Sequence, residues 1–320
     1  MRVFKTDKSS QEGTALVLTL WLLALISALA LSFALSARTG SAITRNFKES
    51  VMLRAKAVEA IENSIAYLLA DPDPLIDYID GDGKFRTDRE RPPVSGILES
   101  GDVSVYLSLS AEDSRININD AEEPVLRGLF EIAGAKEEDT AAMVASLMDW
   151  KDPDDLHRLG GAEDDHYMPM GYETSGRPLE TPEELILIKG FNKEMVRGDN
   201  SVNKGLSGMI TTFSHTINFN SANSEVMKAL GLDLVRANSL ISERTGNDGL
   251  DLAALKQYLP QRLFKIATPF SNMFRLEAQA SLEGSPQVYH ITTIIKRVSA
   301  QGKQELKTIY WKENIEAGRT

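Results

Sequence analysis

The sequence predicts an α+β fold in which one very long N-terminal helix packs on an antiparallel sheet, with a large all-α domain inserted between the strands. Three observations predict it. An uncharged apolar run near the N-terminus continues without a stop into a helical hydrophobic pattern. Strand-like alternation occurs once near residue 105 and again after residue 270. The residues between these strands carry helix starts and an internal repeat. A chain of 320 residues is long enough for two domains, each with its own core.

The helix comes first. Thr14 to Ala37 is a run of 24 residues without a charge, a proline or a glycine. As a helix it is ~36 Å long, enough to cross the ~30 Å hydrocarbon layer of a membrane. The apolar core of a cleaved secretory signal is shorter, at ~7–15 residues. Arg2, Lys5 and Lys8 precede the run and favour a cytoplasmic N-terminus, with the rest of the chain across the membrane. Beyond Ala37 only Gly40 interrupts the pattern before Asp71-Pro72. Ile43, Phe47, Val51, Val58, Ile61, Ile65 and Leu68 recur close to the 3.6-residue period, so one helix is predicted from Thr14 to Leu69. Residues 1–13 are polar and end in Glu12-Gly13 directly against the apolar run. A secretory signal is cut after its apolar region, whereas a cut here would precede it. The dipeptide alone is equally compatible with an uncleaved signal anchor.

The head follows. Residues 71–102 are rich in proline and glycine and read as loops. Asp80-Gly81-Asp82-Gly83 opens like a calcium-binding EF-hand loop, but Lys84 and Phe85 stand where the acid or amide and the glycine belong. A charged turn fits better. Val103, Val105, Leu107 and Leu109 alternate with polar residues and predict a half-buried strand. Phe274 to Ala280, Val288 to Val298 and Leu306 to Trp311, joined by short turns, predict an antiparallel meander. The α/β head is thus assigned to residues 38–112 and 266–320, and the inserted helical domain to residues 113–265.

Within the insertion, Ile116-Asn117-Ile118-Asn119-Asp120-Ala121 recurs as Ile217-Asn218-Phe219-Asn220-Ser221-Ala222. Both copies read as an extended lead-in, a polar cap at Asp120 or Ser221, and an apolar-faced helix. Glu123 after Asp120 suggests a capping box, and Thr181-Pro182-Glu183-Glu184 suggests a third helix start. The lead-in is similar to SAM-like and helix-hairpin-helix modules, some of which bind DNA. A membrane-tethered DNA-handling protein is therefore the alternative function. The balance of 35 basic against 46 acidic residues argues against it, and no nucleic-acid partner is expected.

Chemistry is sparse. The chain has no cysteine, which removes disulfides, cysteine-ligated metals and thiol nucleophiles. His157, His166, His215 and His290 show no zinc-enzyme spacing, and no serine elbow or phosphate-binding glycine loop occurs. The dense acidic run is the one candidate site: Asp149, Asp152, Asp154, Asp155, Glu163, Asp164 and Asp165. Crowded carboxylates repel unless protonated, paired or neutralised by a cation. Oxygen ligands on a loop suit calcium, and no organic cofactor is expected. A solvated acidic loop with helix-capping roles explains the run equally well. A carbohydrate enzyme using paired carboxylates lacks the aromatic cleft it needs, at 7% aromatic residues.

Taken together these residues resemble the K-type minor pseudopilins of the type II secretion pathway. The resemblance rests on Glu12-Gly13, the Leu-Trp-Leu-Leu-Ala-Leu helix and the Ser-Arg-Ile-Asn-Ile-Asn stretch. It rests also on Asp149-Trp150 with Asp152 to Asp155, on Gly161-Ala162-Glu163-Asp164-Asp165, on Pro178-Leu179-Glu180 and on Ile217-Asn218. It implies a prepilin-type leader, residues 1–13, cut between Gly13 and Thr14 by the prepilin peptidase, with methylation of the new N-terminus. It implies a transmembrane helix over residues 14–37 in the inner-membrane lipid and a periplasmic head that binds calcium. Pilins and most pseudopilins carry a glutamate at the position where this chain has Leu18. That carboxylate neutralises the N-terminal ammonium of a neighbour, so a subunit with leucine suits the filament tip. The implied partners are the I- and J-type minor pseudopilins in a tip complex and the major pseudopilin. The implied role is non-enzymatic: initiating or capping a pseudopilus that exports folded proteins across the outer membrane.

Overall fold

The structure, a computed structural model, describes residues 8–71, 74–198, 205–300 and 303–317. One helix, α1, runs from Lys8 to Leu69, 62 residues or about 93 Å at 1.5 Å per residue. Gly40 does not interrupt it. Five strands form an antiparallel sheet in sequence order: β1 Gly96–Ser100, β2 Val103–Ala111, β3 Met273–Leu282, β4 Gln287–Ala300 and β5 Lys303–Ala317. Strand β1 lies in the stretch read from sequence as loop. Its five residues follow Pro92-Pro93 and contain a single strongly β-forming side chain, Ile97, so pattern alone does not reveal it. The Asp80 turn is confirmed as a charged hairpin turn. Asp80 Oδ1 accepts the backbone N–H groups of Asp82 and Lys84 at 3.0 and 2.9 Å.

The second half of α1 lies across the sheet. Leu53, Ala57, Ala60, Ile61 and Leu68 pack on Val105, Leu107, Leu109, Phe274, Leu276, Ala278, Ala280 and Ile291. Ala278 pairs in register with Leu107 and with Ile291, and Ala280 with Val105, so small residues line the middle of the sheet where the helix crosses. The side chains are the alternating residues that predicted the strands; each large one contributes roughly 1.5–3 kcal/mol on burial. The predicted apolar stripe of α1 extends further than the head. Ile43, Phe47 and Val51 are 64, 70 and 51% exposed, so burial begins only at Leu53. At the sheet edge Arg54 forms a bidentate pair with Glu313, both contacts at 2.8 Å.

Between β2 and β3 the described residues form seven α-helices: α2 Glu123–Ile132, α3 Glu137–Lys151, α4 Asp164–Tyr167, α5 Lys193–Arg197, α6 Ser224–Ala229, α7 Leu234–Gly246 and α8 Leu252–Tyr258. They enclose a second core, separate from that under α1, around Phe130, Leu147, Tyr167 and Phe219. The two repeats have the same local structure. Ile116–Asn117 pairs in parallel with Ile210–Thr211, and Ile217–Asn218 with Ala267–Thr268.

The polar caps differ from expectation. Helix α2 is preceded by Glu122 and α6 by Asn223, two residues after Asp120 and Ser221. The first asparagine of each repeat causes the delay. Asn117 Oδ1 accepts Asn119 N–H and Asn218 Oδ1 accepts Asn220 N–H, both at 2.9 Å, which inserts a turn before the helix. The Asp120–Glu123 capping box therefore does not form. The Thr181 box does: Glu184 accepts the Thr181 N–H at 2.8 Å, although the helix it opens, Pro182–Leu187, is a 3₁₀ helix.

Candidate functional site

The acidic run begins on the last turn of α3 and loops back over it. Asp149 is fully buried there, and Trp150 packs edge-on to Tyr167 with ring centres 5.1 Å apart. Gly160 adopts a left-handed φ of +84°, and a Cβ at Gly161 would overlap the Asp149 carboxylate. The glycine pair thus lets the loop close on Asp149. Arg158 completes the closure. Its Nη1 donates to Asp149 at 2.7 Å and to Asp152, and its backbone N–H points at the Asp149 carboxylate at 3.3 Å.

Glu163 is the anomaly. It is 1% exposed, and neither carboxylate oxygen has a hydrogen-bond partner. Burial, reinforced by the charges of Asp149 and Asp152, pushes its pKa up to about 7. Asp152 Oδ1 is likewise buried without a partner. Asp149, Asp152 and Asp155 all act electrostatically on Glu163, which makes them one neighbourhood.

The other candidates are engaged elsewhere. Asp154 Oδ1 accepts the Leu156 N–H at 3.0 Å. Asp164 accepts the backbone N–H and hydroxyl of Thr174, both at 2.7 Å, and these bonds hold its pKa down. Asp165 faces His157 Nε2 at 3.2 Å. Among the described residues no three carboxylate or imidazole groups are already gathered around one ion position. The unpartnered oxygens of Glu163 and Asp152 nonetheless have the chemistry a hard cation takes.

Sequence reasoning did not separate Glu163 from its acidic neighbours. The signal was the Gly160-Gly161 pair, which brings the chain back over α3. It also missed the second asparagine of each repeat. Asn119 exchanges two hydrogen bonds with the backbone of Leu179, at 2.9 and 3.0 Å, and Asn220 does the same with Leu250, at 2.8 and 3.0 Å. These amides are used within the domain and do not face a ligand.

The other candidate positions lie on α1. Gly13 and Thr14 fall in its helical backbone, and residues 1–7 of the leader lie outside the described residues. Leu18 is 70% exposed, as are its apolar neighbours to a similar degree. From Ala15 onward the helix is long and apolar enough to cross a membrane, and its most apolar window has no buried residue. A soluble core helix would be covered; this one is bare.

A bare apolar half-helix running into an amphipathic half laid on an antiparallel sheet is the arrangement that the sequence resemblance to a pseudopilin implies. Residues 107–198 match the family described as type II secretion system (T2SS), protein K. The fold is similar to a chain of the GspK-GspI-GspJ complex from the type 2 secretion system of enterotoxigenic Escherichia coli. That similarity has a TM-score of 0.59 at 14% identity and covers 85% of this chain and 99% of the other. No curated protein matches the sequence. The family match and the fold agree on the K-type minor pseudopilin that the sequence resembles.

Proposed function

We propose that this chain is a non-enzymatic minor pseudopilin at the tip of a type II secretion pseudopilus, where it initiates or caps assembly for export of folded proteins. The observation that carries the reading is the continuity of α1. An uncovered apolar half suits membrane lipid first and neighbouring subunit helices afterwards, and Ile43, Phe47 and Val51 prolong that face beyond the head. The prepilin peptidase cuts between Gly13 and Thr14, leaving an inner-membrane subunit with a cytoplasmic N-terminus and a periplasmic head. Leu18 cannot neutralise the ammonium of a subunit above it, which places the chain where none follows. The I- and J-type minor pseudopilins are its immediate partners and the major pseudopilin continues the shaft. Co-expression with tagged I- and J-type subunits is expected to yield a complex with one copy of each. Purification of this chain alone would contradict the tip reading.

Calcium is the proposed ligand of the acidic loop, held by Asp149, Asp152 and Glu163 with Asp155 nearby. Bound there, it supplies the positive charge that the buried Glu163 carboxylate lacks. Calcium should raise the melting temperature of the full chain in detergent, and Glu163→Gln should remove the increase. Superimposable curves with calcium and with chelator would leave a solvated acidic loop.

A further inference from the structure

The strands that pack on α1 turn their other side toward the inserted domain, and a cleft of about 580 Å³ lies between the two. Strand register sets its floor. Glu277 of β3 pairs with Thr292 of β4, which pairs with Lys312 of β5; Arg275 pairs with Ile294, which pairs with Tyr310. Their neighbours along the strands, Leu276, Ala278 and Ile291, pack on α1, so these side chains point away from it. The inserted domain adds Arg115, Glu183, Arg197 and Phe213 to the lining. The volume falls within the ~300–1,000 Å³ of small-molecule sites.

The least exposed charges of the cleft do not cancel. Beneath it Glu112 is fully buried and accepts Arg115 Nη1, Arg275 Nε and Nη2 at 2.7 and 3.2 Å, and the Thr211 hydroxyl at 2.6 Å. These bonds fill the acceptor capacity of the carboxylate. Burial pushes its pKa up, but Arg115 and Arg275 outweigh that and hold it below the ordinary value. The two arginine side chains, only 13 and 16% exposed, thus share one negative charge. Among the described residues Arg115 Nη2 donates to nothing, and Arg275 Nη1 lies 3.6 Å from Glu277, beyond hydrogen-bond range. Unspent donors on two nearly buried guanidiniums suit an oxyanion. The rest of the lining selects which one. Arg197 and Lys312 stand against Glu183, Glu277 and Glu316, one acid in excess. A phosphate dianion meets that excess with both charges. A single carboxylate offsets the cation left over on Glu112 and matches the planar guanidinium fork. The rings of Phe213 and Tyr310, 5.5 Å apart, add an apolar wall in the same row as Arg275.

We propose that this cleft binds a small monocarboxylate, with the carboxylate on Arg115 and Arg275 and an apolar body against Phe213 and Tyr310. The inference goes beyond the pseudopilin reading and stands independently of it, since it needs neither a filament nor the acidic loop.

The test titrates the full chain in detergent with para-fluorobenzoate, followed by fluorine NMR, with empty micelles as the blank. Saturable one-to-one binding is expected, with a dissociation constant of about 1 mM or below. Arg115→Gln removes the less exposed guanidinium and should weaken it about tenfold or more. Thr292→Tyr should do the same by filling the floor between Glu277 and Lys312. Tyrosine suits a strand and leaves the Glu112 cluster intact, so this variant decides the matter should Arg115→Gln fail to fold. No saturable binding, or wild-type affinity in a variant whose melting temperature is unchanged, would overturn the proposal. Equal affinity for the neutral para-fluorobenzamide would overturn it too. Displacement of the probe by inorganic phosphate at lower concentration than by acetate would contradict the choice of a carboxylate.

Discussion

In the first repeat Asn119 clamps Leu179, 60 residues downstream; in the second Asn220 clamps Leu250, only 30 residues downstream. The turns are alike and the surroundings are not. Asn218 and Asn220 are fully buried, and Asn218 Nδ2 donates to Asp77 O and Ser271 Oγ at 2.8 and 2.9 Å. Asp77 in turn accepts the Ser271 N–H at 2.6 Å and faces Arg297 of β4. The second repeat is thus fastened to the head. In the first repeat Asn119 is half-buried, and the longer excursion between Asn119 and Leu179 carries the acidic loop. One motif anchors the inserted domain, and its duplicate holds a presented loop.

The anchor is where that contrast breaks most easily. Arg297 Nη2 donates to Asp71 at 2.8 Å, and Nη1 donates to Pro74 O at 2.9 Å. Arg297→Met leaves Asp71 and Asp77 buried without their cation and should cost about 3–5 kcal/mol in denaturant unfolding. A loss below ~1 kcal/mol would mean that the junction is not the anchor. Asn220→Ala orphans the buried N–H and carbonyl of Leu250, removes one of the bonds to the Pro269 carbonyl and should cost about 3 kcal/mol, against about 1–2 kcal/mol for Asn119→Ala. Equal losses would erase the distinction between the repeats.

The last effect is one of pH. Asp113 accepts the N–H groups of Asn272 and Met273 through Oδ2, but Oδ1 is buried without a partner. Burial raises its pKa from 3.8 to about 7 despite those bonds. A carboxyl group whose folded pKa lies above its unfolded value contributes stability at low pH and loses it as pH rises through the folded value. The stability of Asp113→Asn relative to wild type should therefore improve between about pH 4 and pH 7. A constant difference across that range would show that Asp113 does not titrate there.

Much of this was legible because the decisive patterns are long. The apolar run, the heptad-scale stripe to Leu68 and the alternation of β2 to β5 each average over many residues, so local exceptions do not hide them. Short-range competition was harder to read. Asn117 and Asn218 capture a backbone N–H before a helix cap can, which moved α2 and α6 past Asp120 and Ser221. The acidic loop was visible as a composition, but its division was not. Which carboxylate becomes buried depends on Gly161 lying against Asp149 and on Arg158 reaching two aspartates, both products of tertiary closure.

We propose that α1 is a pilin-type helix freed by a cut before it. Co-expression of the full chain with a prepilin peptidase, followed by intact mass measurement, tests it most directly. A chain that begins at Thr14, lighter by residues 1–13, is expected. Retention of those residues with an active peptidase present would contradict it.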